Sequence, residues 1–493
     1  MANYSLSTFS GVTQNPNISS VFMDQSINAI AGSYGNGLYY SSNRGVAWTI
    51  SDVSSGRFYS VFMDQSVNAI AGGGNNNGLY YSSNRGKNWT VSDVSSGTFN
   101  SVFMHQSVNA IAGAGGGSNK GLYYSSNLGK NWTVSNISTG NFYNVFMDLS
   151  VNAIAASYGN GLYYSSNRGV IWTISNVSSG LFYSVFMDQS VNAIAGGGGN
   201  NGLYYSSNRG KNWTISNVNT GYFNAVILDQ SGNAVAVENN NRGIYYSSDW
   251  GKLWYPSNVT DGSFTSVFMN ESGNYIAGSY TGLWYSSDLG HTWYPTNVTT
   301  SVQSVFMDQK GNRLAGGRKT YYFTSLVCFK EGSKILTDNG YVAIQDLKKG
   351  DLVKTVNNFI PIHAIGKRDI FHPASQDRDK DQLYKCSPEH FPVFEDLVIT
   401  GCHSILVDEF KEGEREKTIE INGDAYVTEN KYRLPACVDE RTTVYETPGT
   451  YTIYHFALEN DDIYNNYGVY ANGLLVETCS KRNLMELSKM DLI

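Results

Sequence analysis

The sequence predicts an all-β protein in two parts, a ring of repeated four-stranded blades followed by a smaller, irregular all-β unit. Three observations predict it. A self-similar stretch recurs down the first part with tryptophans 39 to 43 residues apart. Within each repeat, short runs of β-branched and aromatic residues alternate with Gly, Asn and Ser turns. Composition then changes abruptly: residues 1–327 hold 28 charged side chains and all nine tryptophans, whereas residues 328–493 hold 47 charged side chains, no tryptophan and all five cysteines. A chain of 493 residues also exceeds one ordinary core, so two units are expected.

One repeat reads SVFMDQSVNAIAGGGNNNGLYYSSNRGKNWTVSDVSSGTFN, and its runs SVFMD, NAIAG, GLYYS and WTVS supply four strands, the pattern of a propeller blade. First strands of this type start at Val21, Val61, Val102, Val145, Val185, Val226, Val267 and Val305. The last repeat stops after its third strand, and the N-terminal stretch NYSLSTFSG aligns with the missing fourth. Eight blades closed by the N-terminal strand are therefore expected, with seven as the alternative. Closure removes the exposed edges of an open array.

Between the third and fourth strands, Ser-x-Asn/Asp-x-Gly-x-x-Trp occurs seven times. Its residues are Asn43, Gly45 and Trp48; Asn84, Gly86 and Trp89; Asn127, Gly129 and Trp132; Asn167, Gly169 and Trp172; Asn208, Gly210 and Trp213; Asp249, Gly251 and Trp254; and Asp288, Gly290 and Trp293. The motif resembles the Asp-box (BNR-type repeat) of sialidase- and sortilin-type propellers. Its expected role is structural: Asn or Asp bonds nearby backbone, Gly supplies positive φ, and Trp packs the hairpin down. Most boxes carry Asn, which argues against a cation site. Arg44, Arg85, Arg168 and Arg209 recur inside the box, so they read as surface decoration rather than the carboxylate-binding cluster of a glycosidase. A propeller glycosidase is kept as a minor alternative. The variable, weakly charged Tyr/Asn/Ser/Gly loops fit a glycan or protein ligand.

The formal net charge is −7, and no basic stripe is present to neutralise phosphates, so nucleic acid is not an expected partner. No membrane span and no signal peptide are read, and the chain is expected to be soluble. The cysteines are odd in number and irregularly spaced, without a CxxC pair, which predicts free thiols in a reducing compartment, no metal and no cofactor. Oligomeric state is not legible.

The second part opens on CFKEGSKILTDNGYVAIQDLKKGDLVKT, in which a leading Cys precedes a Gly-x-x-Ile and a Leu-x-x-Gly-Asp that contains Asp351. Further on come ITGCHSILV and YHFALENDDIYNNYGVYANGLLVETC. These three ordered blocks resemble the Hint fold, the self-processing domain of inteins and hedgehog C-terminal regions. With the repeat giving a propeller over 1–327, the resemblance implies a horseshoe-like Hint domain over 328–479 and leaves a tail over 480–493. It implies that Cys328 attacks the carbonyl of Val327, with His403 as general acid and Thr400 as the donor or orienter beside it. His455, Asp351 and Cys479 are possible accessories. Intein-type C-terminal cleavage needs His-Asn where this chain has Glu477 and Thr478, so full splicing is not expected. His455 stands where inteins carry Asp, and Tyr467 stands where another histidine is usual.

The implied outcome is a thioester at Val327 and release of residues 1–327. Its alternative is an uncleaved binding or structural propeller with an inactive Hint domain. The tail is too short for a sterol-recognition region; Leu484, Leu487 and Leu492 are expected in an amphipathic turn or two. The pairing of propeller and Hint also resembles proteins of large DNA viruses and bacterial polymorphic surface proteins, which implies a virion or cell-surface destination.

Overall fold

The computed structural model describes the chain apart from residues 1–4, 11–15, 25–27, 117–118, 271–272, 297, 309–311, 324–326, 373, 375–377, 379, 381, 423–424 and 488–489. The junction at 324–326, where the sequence runs toward Cys328 without a linker, lies outside the described residues, as does part of the loop GAGGGSNKG. The chain is nearly all β and forms two compact units, Tyr4–Phe323 and Thr324–Ile493, the second also taking Met1–Asn3.

The first unit is a β-propeller. Its four-stranded antiparallel sheets follow one plan, as in Phe223–Leu228, Ala234–Glu238, Ile244–Ser247 and Tyr255–Pro256, each paired with the next. Inner strands begin at Ile18, Gly56, Thr98, Phe142, Gly180, Phe223, Phe264 and Val302.

Neighbouring inner strands are tied by side chains. The N–H of Val61 donates to Ser20 Oγ, that of Val102 to Ser60 Oγ and that of Val145 to Ser101 Oγ, each at 3.1 Å. Val21 N–H to Ser304 Oγ, also 3.1 Å, joins the first sheet to the last. One residue further along these strands, phenylalanines meet ring to ring, with Phe22 4.4 Å from Phe62 and 4.6 Å from Phe306. In the sixth sheet Ile227 takes this place, packing with Phe186 and Phe268.

The N-terminus holds both ends of the circuit. Ser5–Leu6 pairs antiparallel with Tyr321–Phe323, which supplies the fourth strand missing from the last repeat. Thr8–Ser10 then pairs in parallel with Ala47–Ile50 of the first sheet, a contact the repeat pattern did not announce. Phe9 stacks on Trp48 with centroids 6.2 Å apart and planes 11° apart.

The recurrent hairpin has one geometry. Ser41 Oγ donates to Asn43 Oδ1 at 2.8 Å and accepts from Gly45 N–H at 3.0 Å, while Asn43 Oδ1 accepts from Ala47 N–H. Positive φ falls on two residues, Arg44 at 60° and Gly45 at 77°, where the sequence predicted only the glycine. Asp249 does the same work for Leu253 N–H as Asn does elsewhere. All seven box tryptophans are buried. The arginines are more than decoration: Arg85 Nε lies 3.9 Å from Asp24, and Arg209 Nε lies 3.8 Å from Asp148, each buried carboxylate belonging to an earlier repeat.

The second unit holds one large sheet around a long ribbon, Phe359–His372 paired with Gly449–Leu458. The short strand Phe329–Lys330 enters beside that ribbon, with Phe329 opposite both Ile399 and Tyr454. Its main core gathers Phe329, Ile335, Tyr384, Ile399, Phe456 and Val476. The tail does form a helical turn, Asn483–Leu487, with Leu484 buried and Met485 exposed, but Leu492 lies outside it in a strand, Asp491–Leu492, that adds to Phe359–His372 and leaves it half exposed. The side chain of Leu487 lies outside what is described.

Candidate active site

Three elements converge on Cys328. The strand Leu397–Thr400 pairs with Phe329 and so carries Thr400 alongside the residue before it. A turn, Gly401–Cys402, then reverses the chain so that His403 precedes the strand Ser404–Val407. Leu474–Glu477 pairs with that strand, Val476 opposite Ile405, which brings Glu477 under the imidazole. Residues more than 70 positions apart in sequence are thus fixed by ladder pairing, whose register leaves little freedom.

Hydrogen bonds knit them together. Cys328 N–H donates to Thr400 Oγ1 at 2.9 Å, and Thr400 N–H donates to Cys328 O at 3.0 Å. His403 Nδ1 lies 3.0 Å from Cys328 O and Nε2 lies 3.0 Å from Glu477 O. The group against the nitrogen of the Val327–Cys328 bond is therefore the threonine hydroxyl, while the imidazole holds the carbonyl on the other side of the same residue. Phe329 meets His403 edge to face, with centroids 4.3 Å apart.

Both imidazole nitrogens of His403 face carbonyl oxygens, and a neutral ring donates to only one. Burial lowers its pKa below the usual histidine value, against the opposing pull of the Glu477 carboxylate and the two carbonyls. At rest the ring is neutral, with two acceptors placed to stabilise a proton that arrives. Glu477 is buried and paired with Arg433 at 3.2 Å.

His455 packs against this pair, tilted toward His403 with centroids 5.3 Å apart and edge-on to Phe329 at 5.5 Å. It is buried, and neither ring nitrogen finds a hydrogen-bond partner among the described residues. Burial and the neighbouring His403 hold its pKa well below the usual value. A buried ring with two unpartnered nitrogens is costly to stability. The Cys328 thiol is fully buried; desolvation and the nearby Cys402 and Cys479 push its pKa well up, against Arg368. Cys479 is buried too, with Sγ 3.5 Å from Phe456 O. Asp351 is engaged elsewhere, its carboxylate accepting from Lys348 N–H in a turn of its own.

Two features escaped the sequence reading. Met490 Sδ sits 3.9 Å from Cys328 Sγ, with no motif to flag it. In the propeller, Asp52, Asp93, Asn136, Asn176, Asn217 and Asn258 each accept the N–H of the next repeat's box tryptophan, at 2.7 to 2.9 Å. The recurring Ser-Asp/Asn-Val/Ile triplet was the available signal. Among the described residues no group of three or more His, Cys, Asp or Glu is arranged to hold a metal.

Residues 327–483 match the Hint domain family. No curated protein matches the chain in sequence. Among solved structures, the chain is similar in fold to a computationally designed protein, Ika8, at 6% identity, covering 65% of this chain and 100% of that one with a TM-score of 0.53. Looser matches include YCF48 from Cyanidioschyzon merolae, at 12% identity over 65% of this chain and 98% of that one (TM-score 0.43). An ancestral GH74 enzyme matches at 15% identity over 70% of this chain and 54% of that one (TM-score 0.47). The fold class is a β-propeller followed by an all-β unit that matches the Hint domain family over residues 327–483.

Proposed function

We propose that the Hint domain acts once, on its own chain, by breaking the Val327–Cys328 bond and freeing the propeller. The observation that carries this is the meeting of Thr400 and His403, from a separate block of the sequence, on the two peptide groups that flank Cys328. Cys328 Sγ adds to the Val327 carbonyl carbon, the C–N bond breaks, and a thioester replaces the amide. Thr400 meets the departing nitrogen, and His403 takes the thiol proton, is stabilised as imidazolium by the carbonyls of Cys328 and Glu477, and returns that proton to the new amine as the acid of the site. With Glu477 and Thr478 in place of His-Asn, the reaction stops at thioester release.

Intact mass of the full chain, with and without hydroxylamine, tests this beside Cys328→Ala. A fragment of residues 1–327 is expected from the wild type alone, and its added mass names the acceptor. A single uncleaved mass under every condition sinks the proposal and leaves the second reading, a binding propeller with a silent Hint domain, which the fully buried, raised-pKa thiol favours.

The freed propeller, read as a ring of eight blades, is proposed to bind a glycan or protein ligand. Tyr143 lies 5.8 Å from Tyr158 and 5.3 Å from Tyr183, and Tyr158 and Tyr280 are about half exposed. Such amphipathic rings suit adaptable, weakly charged recognition. Loss of glycan-array signal on Tyr143→Ala and Tyr158→Ala is expected, and full retention argues against these loops.

A further inference from the structure

Part of the cover on the Cys328 thiol comes from the C-terminal tail. Cys328 lies in a buried cluster with Leu383, Val398, Ile453 and Ala457 of the sheet and Cys479, Leu484 and Met490. Beyond Met490, the strand Asp491–Leu492 docks on the long ribbon through Gly366 opposite Leu492 and Lys367 opposite Asp491, and Ile493 N–H donates to Ile365 O at 3.0 Å. The seat depends on one missing side chain: a Cβ on Gly366 would lie 2.7 Å from Met490 Cβ and 3.1 Å from Leu484 Cδ1. Past that seat the cover is slight, since Leu492 and Ile493 are 50% and 54% exposed.

The two halves of the proposed reaction make different demands on such a cover. Acyl shift needs nothing from outside: Sγ bonds the Val327 carbonyl carbon, the bond to Cys328 N breaks, and the thiol proton ends on the new amine. Release needs an acceptor. Water, a thiol or an amine adds to the thioester carbon, the C–S bond breaks, and the acceptor's proton returns to Cys328 as the thiol. A lid that excludes outside molecules blocks the second half and leaves the first untouched.

Resting on the autoprocessing reading, we infer that the C-terminal tail is an acceptor gate: with Met490 seated on Cys328 the thioester is stored, and release of residues 1–327 waits until the tail lifts. Gly366 is the positioning residue that lets it seat. The gate sets when and by which small nucleophile the acyl group is taken, so whatever pulls the exposed Leu492–Ile493 end from its ribbon triggers release.

The test uses the full-length chain, Gly366→Ala, Met490→Ala and a chain truncated after residue 489. The alkylation rate of Cys328 by iodoacetamide is followed by peptide mass, with Cys386, buried in the domain's other cluster, as the internal check on folding. Separate samples receive hydroxylamine, and the fragment ending at Val327 is quantified. Cys328 is expected to label at least tenfold faster in Gly366→Ala and in the truncated chain while Cys386 stays silent, and fragment release should accelerate alongside. Unchanged Cys328 labelling in both variants overturns the gate. Faster labelling with no fragment from any chain upholds the cover and overturns the autoprocessing reading instead. Should Cys386 label in those two variants, Met490→Ala decides by the same criterion.

Discussion

At the scale of single residues, the Hint core concentrates titratable groups that burial holds neutral. His403, His455 and His372 all have lowered pKa values, with desolvation the leading cause. A depressed folded-state histidine contributes stability above its unfolded pKa of about 6.5 that is lost as pH falls below it, because the unfolded chain takes up protons first. Cys328, Cys386 and Cys479 have raised values, again chiefly from desolvation, so their contribution is complete below about 8.5 and is lost as pH rises. Denaturant unfolding of the Hint domain should therefore show a stability plateau between about pH 6.5 and 8.5 that falls on both sides. A flat profile from pH 5 to 10 would contradict the burial of these groups. Thr400→Ala removes the hydroxyl on the Cys328 nitrogen and should slow fragment release roughly ten- to a hundredfold, with Thr400→Ser largely restoring it. Equal loss in both variants would assign Thr400 a packing role only.

At the scale of elements, each propeller hairpin is a small cooperative device. Ser165 Oγ bridges Asn167 and Gly169, and buried Trp172 accounts for much of the packing below. Trp172→Ala should cost about 3–5 kcal/mol, whereas Ser165→Ala, which loses hydrogen bonds without opening a large cavity, should cost about 1–2 kcal/mol. Thermal melts of the two variants check that order. The N-terminal segment acts on two sheets at once, so deleting residues 1–10 uncovers the edge strand Tyr321–Phe323 and removes Phe9 from Trp48. A melting midpoint roughly 5–10 °C lower, with concentration-dependent association, is the expected result. An unchanged midpoint would show that the circuit closes without it.

At the scale of the whole molecule, the chain's contacts fall into two bodies with separate cores. Calorimetry of uncleaved Cys328→Ala should resolve two unfolding transitions, only one of which shifts on acidification, since the three histidines whose pKa values burial lowers, His372, His403 and His455, all lie in the second body. A single cooperative transition that moves as a whole would contradict this separation.

The repeat, the turn chemistry and the two compositions were legible in the chain itself, because strand periodicity and hairpin turns are local properties. So were Thr400 and His403, three positions apart in one short block behind a leading cysteine. Orientation was not legible: which imidazole nitrogen meets which carbonyl depends on strands whose register is set across the sheet. The same holds for His455, whose unpartnered ring follows from what surrounds it. The parallel clasp of Thr8–Ser10 and the cover of Cys328 by Met490 were decided only in the fold. Both rest on contacts between distant segments, and for the second the deciding feature is an unremarkable glycine at position 366 whose lack of a side chain matters only once the tail has arrived.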